Sequence, residues 1–120
     1  MKQVTFPMIE LVDRLTIARL KFEKTQCNQS ELDYYENQVK FFDFSQIENE
    51  LYHLQEIHRQ IWNLEFLLKT GQENKLSLEE IGQRAIEIRN LNNRRVALKN
   101  AIAEKFEDPV REIKKDHLSE

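Results

Sequence analysis

One hundred and twenty residues suffice for a single domain with its own core. Only two glycines and two prolines occur, where average usage gives about eight and about six, and 32% of residues are charged, which is a helical composition. A net charge of −3 gives nucleic acid no general attraction, a lone cysteine excludes an intrachain disulfide or a multi-cysteine zinc site, and no apolar run is long enough to span a membrane.

The first helix is expected after Thr5, with Pro7 in its first turn, where the missing N–H costs nothing, and runs to about Lys24. Met8, Leu11, Val12, Leu15, Ala18 and Phe22 recur at spacings of three and four and form its buried stripe. Cys27 to Ser30 reads as a turn, with Ser30 capping a shorter helix through about Phe42 whose apolar face is Leu32, Tyr35, Val39 and Phe42. Asp43-Phe44-Ser45 breaks that pattern. From Ile47 through Leu51, Leu54, Ile57, Ile61 and Leu64 to Leu68 a helical period holds for more than six turns, with Gly71 placed to end it.

Ser77-Leu78-Glu79-Glu80 is a capping box that opens a long fourth helix to about Phe106, and Asp108-Pro109 ends it or caps a final basic turn. The expected fold is therefore all-α: one domain over residues 1–120, an antiparallel bundle of about four helices in which the two long helices form a hairpin. Residues 107–120 are a basic C-terminal tail or short helix. The aromatics Phe41, Phe42, Phe44, Trp62 and Phe66 exceed what the buried stripes need, which predicts a homodimer or another protein partner.

Charge is unevenly placed. Residues 31–80 carry eleven Asp and Glu against four Lys and Arg, whereas residues 84–115 carry nine Lys and Arg against five Asp and Glu, so the last helix is locally basic. Around that helix at 100° per residue, Ile81, Ala85, Ile88, Val96, Ala103 and Phe106 share one side, and Asn92, Arg95 and Lys99 fall in the same sector. An unpaired buried cation costs several kcal/mol, so these groups need partners, water or a ligand. On the preceding helix Glu50, His58 and Glu65 lie in the sector of Leu54, Ile61 and Leu68. On the first helix Glu10, Asp13, Arg14 and Lys21 form a polar stripe opposite the core.

Two readings follow. In one, Glu65 and Asp13 neutralise Arg95 and Lys99 in an ion-pair network that fixes helix register. In the other, Arg95 and Lys99 hold the carboxylate or phosphate of a small anion, Asn92 orients it, Glu65 or His58 shares a hydrogen bond, and Arg14 or Lys21 closes the mouth. The second arrangement resembles the all-helical active site of chorismate mutases, which needs neither nucleophile nor metal, although the arginine-rich N-terminal pattern of those enzymes is missing.

Other chemistry is poorly supported. Glu50-Leu51-Tyr52-His53 has the Glu-x-x-His spacing of di-iron bundles only once, His53 and His58 do not share a face, and no glycine loop cradles a phosphate. No metal and no cofactor is expected, no complete catalytic constellation can be assembled, and Cys27 has no evident base beside it.

Three segments together resemble a family of small helical bacterial proteins of unknown function, often encoded near glycosyltransferases in lipopolysaccharide or capsule loci. They are Glu10-Leu11-Val12-Asp13-Arg14-Leu15-Thr16-Ile17 with Lys21 after it, Leu54 through Glu65 including Trp62, and Asn92-Asn93-Arg94-Arg95-Val96-Ala97-Leu98-Lys99. His58 stands where the family usually has Asn, and Asn93 where it usually has Asp. The resemblance brings no biochemical function with it, but it implies Asp13, Trp62, Glu65, Asn92, Arg95 and Lys99 as recurring positions. With no catalytic constellation the expectation is a cytoplasmic, non-enzymatic interaction or accessory protein, which the family's gene surroundings alone link to cell-surface polysaccharide biosynthesis.

Overall fold

The structure, a computed structural model, describes residues 7–69 and 73–106. Gly71, the Asp108-Pro109 stop, His117 and the expected basic tail lie outside the described residues. In chain order the helices are α1 (Met8–Thr25), α2 (Gln29–Val39), α3 (Glu48–Lys69) and α4 (Leu78–Lys105), with 3-10 turns at Ser45–Ile47 and Glu73–Lys75. Among the described residues there is no strand, and no helix is long and apolar enough to cross a membrane.

Local chemistry sets the boundaries. Pro7 precedes the first turn of α1 and its carbonyl accepts from the Glu10 amide at 3.0 Å. At the other end Gln26 adopts φ 55°, and its amide closes on the Phe22 carbonyl, a left-handed stop of the kind glycine usually supplies. Ser77 caps α4 by accepting from the Glu80 amide at 3.1 Å, the serine half of the capping box. Two boundaries differ from the sequence expectation. α2 starts at Gln29, with Asn28 rather than Ser30 at its N-cap, and stops at Val39. Phe41 is 90% exposed and Phe42 is exposed too, so neither extends the apolar face of α2. The backbone turns there because the Asp43 carboxylate accepts the Ser45 amide at 2.9 Å and starts the 3-10 turn into α3.

α3 and α4 run antiparallel, as contacts at both ends record: Lys105 Nζ lies 2.7 Å from Glu50 Oε2, and Arg84 Nη1 donates to the Leu64 carbonyl at 3.0 Å. α1 crosses this hairpin, and α2 folds back on the far side of α1, tied by Arg19 to the Glu36 carboxylate at 2.9 and 3.2 Å. Ile9, Val12, Ile47, Leu54, Ile102 and Ala103 form the main core, while Leu11, Leu15 and Val39 form a smaller one between α1 and α2; Phe44 packs against both.

This layering explains one departure. Asp13 was expected on a polar stripe opposite the core, yet it is buried, because α1 is covered by α2 on one side and by the hairpin on the other. Both sides of α1 are interior over its first half, so the single-stripe reading fails there.

Coverage is unequal along the hairpin. No residue from 59 to 68 of α3 and none from 78 to 90 of α4 is fully buried. The 28 residues of α4 extend about 42 Å, against about 27 Å for the 18 of α1, so α1 reaches only part of the hairpin. Ile61, Leu64, Leu68, Ile81 and Ile88 continue the core stripe of the sequence but are only half-buried.

Candidate functional site

Where α1 crosses the hairpin, three helices deliver charged side chains to one point. Asp13 of α1 is its centre. Arg95 of α4 grips the carboxylate with two bonds, Nη2 to Oδ2 at 2.8 Å and Nε to Oδ1 at 3.3 Å. His58 Nε2, from α3, lies 2.9 Å from Oδ1. An ionised carboxylate only accepts, so the imidazole proton sits on Nε2 and is donated to Asp13. Lys99, one turn along α4 from Arg95, places Nζ 3.1 Å from Glu10 Oε1 and 3.7 Å from Asp13 Oδ2. The Thr16 hydroxyl donates to the Asp13 carbonyl at 2.7 Å, satisfying a buried group at the same place.

The electrostatics are those of a paired buried cluster. Burial alone opposes ionisation of Asp13, but hydrogen bonds from His58 and Arg95, and the Arg95 charge, outweigh it and hold the carboxyl well below the usual carboxylate range. Glu10 and Asp13 supply two negative charges against two positive ones from Arg95 and Lys99. The cluster is neutral with His58 uncharged. Glu10 was grouped with a solvated stripe by its sequence position; its place three residues before Asp13, one helical turn away, is the signal for its role.

Beside this cluster an open cleft of about 340 Å³ lies between α1, α3 and α4. Ile17, Ile61 and Ile88 give it apolar walls, and His58, Glu65, Asn92 and Arg95 contribute polar edges. Four of the eight sequence candidates therefore meet at the cleft, and Asp13 and Lys99 stand in the adjoining network. Arg14 and Lys21 lie elsewhere. Arg14 Nη1 is 3.5 Å from the Tyr35 hydroxyl, and Lys21 Nζ is 3.2 Å from Glu31 Oε1, both on the α2 side of α1. Glu50, another expected partner, engages Lys105 instead.

Chemically, the cluster lacks an activated nucleophile: Cys27 is exposed at the turn after α1, with its Sγ 3.0 Å from the Thr25 hydroxyl. Among the described residues no group of three or more His, Cys, Asp or Glu is gathered as a metal site would require. No family model matches this chain, and no curated protein or solved structure matches it either.

Proposed function

We propose that this chain is a non-enzymatic interaction protein whose working surface is the uncovered half of the α3–α4 hairpin, and that the Asp13 cluster is the structural joint that holds the hairpin against α1. The observation that carries this reading is the lack of any fully buried residue over 59–68 and 78–90, although both segments keep a core-like apolar period. Two helices packed only on each other leave such a stripe half in water, and a partner that covers it gains about 25 cal/mol per Å² of apolar surface removed.

Charge pairing supports the same assignment. A small anion in the cleft would meet Arg95 already bonded twice to Asp13, Lys99 already beside Glu10, and the further negative charge of Glu65 on its edge. That arrangement favours a register-fixing network over the small-anion or chorismate-mutase-like alternative.

Photo-crosslinking in cells tests the reading. A photoreactive residue replacing Ile88, on the cleft side of α4, is expected to capture protein. The same residue at position 86, two places back and so about 200° around the helix, is expected to capture much less. Equal capture from both positions, or none from 88, would count against a protein-binding surface here.

A further inference from the structure

Resting on that protein-binding reading, we infer that the partner is a second copy of this chain, with the two hairpin halves packed antiparallel into a four-helix bundle. The two segments that hold the strip are balanced in charge. By sequence, residues 59–69 and 78–90 contain Arg59, Lys69, Arg84 and Arg89 against Glu65, Glu79, Glu80 and Glu87, a net charge of zero within a chain of net −3. Two like copies therefore meet without the repulsion that the whole-chain charge would impose.

The dimensions agree. Thirteen residues of α4 from 78 to 90 extend about 20 Å, and two helices about 10 Å apart make a strip about 20 Å wide. Each copy so presents about 400 Å² in flat projection and more on a ridged helical surface, which puts the pair at or just below the lower end of specific interfaces. Two-helix hairpins that pair antiparallel bury a shared stripe of the a and d type, and Ile61, Leu68, Ile81 and Ile88 are spaced for that. Half-buried Trp62 and exposed Phe66 lie on the α1-facing side of α3 by the same projection, where a second copy covers them.

The test is the mass of the purified full chain by light scattering, run beside Ile88→Lys and Ile86→Lys, with circular dichroism to check that each variant stays helical. We expect wild type and Ile86→Lys at twice the 14.5 kDa of one chain and Ile88→Lys at the single-chain mass, with helicity unchanged. A wild type that stays at the single-chain mass at 100-fold higher concentration than the crosslinking experiment requires overturns the second copy. So does a dimer that Ile88→Lys leaves intact. If the chain is monomeric and position 88 still crosslinks in cells to a protein of another mass, the second copy fails while the protein-binding surface stands; if 88 captures nothing, both fail. Should Ile88→Lys lose helicity, Ala85→Glu on the same side of α4 takes its place, with the same two outcomes.

Discussion

Arg95 Nη2 lies 2.8 Å from Asp13 Oδ2 across 82 residues of sequence, and this contact joins the first helix to the last where His58 of α3 also reaches the same carboxylate. The Asp13 side chain is 5% exposed and that of Arg95 20%, so the pair is shielded, and its value lies in what happens when one partner is removed.

Asp13→Asn leaves Arg95 and Lys99 without their shared anion in a buried setting, and is expected to lower stability by about 3–5 kcal/mol. Urea denaturation of the variant against wild type measures it. Lys99→Met should cost less, because Arg95 and His58 still satisfy Asp13 while half-exposed Glu10 can turn to water. Equal losses for the two variants would show that Asp13 is not the centre of the cluster.

Acid should act through the same carboxylate. Asp13 is held well below its unfolded value of about 4, so its contribution is fully present above that pH and is lost as pH falls from about 4 toward the depressed folded value. Denaturation at a series of pH values from neutral to about 2 should show wild type losing stability more steeply than Asp13→Asn below about 4. Parallel curves for the two proteins would contradict the assignment.

Core and hairpin tip should respond differently to truncation. Leu54 is fully buried, and Leu54→Ala is expected to cost about 2–5 kcal/mol. Ile88→Ala, at a half-buried position of the uncovered stripe, should cost under about 1 kcal/mol in dilute solution. A large loss at Ile88 in dilute solution would mean that the stripe is already covered within one chain.

Much of this was legible in the sequence. The helical period of α3 and α4 is long enough to phase Asn92, Arg95 and Lys99 onto the core-facing sector, and the structure sets Arg95 and Lys99 beside Asp13 and Asn92 at the cleft. Asp13 itself was misplaced on a solvent stripe, because α1 is covered on two sides and a one-stripe helical wheel has no second interior face. Glu10 was missed as the partner of Lys99 for the same reason. The end of α2 was read three residues late, since Phe42 continues the apolar spacing while Asp43 claims the Ser45 amide and turns the chain. Ile61 and Ile88 looked like core because periodicity records that a face is apolar and not what covers it.

The end of α1 offers a smaller test. Gln26 holds φ 55°, a conformation that costs an ordinary residue about 1 kcal/mol or more and glycine almost nothing. Gln26→Gly should therefore raise stability by about 0.5 kcal/mol once the greater freedom of the unfolded glycine is set against the relief. A rise in thermal midpoint checks it, and a fall would show that the Gln26 side chain contributes more than its backbone strain costs.

The central claim, that the uncovered half of the hairpin is a surface made to be covered, is tested most directly by the fluorescence of Trp62, the only tryptophan in the chain and half-buried on that surface. Raising the protein from about 0.1 to about 100 µM should shift its emission to shorter wavelength as association removes the indole from water, and Ile88→Lys should abolish the shift. Emission that stays constant over that range, in wild type and variant alike, with no shift on adding any protein captured from position 88, would contradict the account.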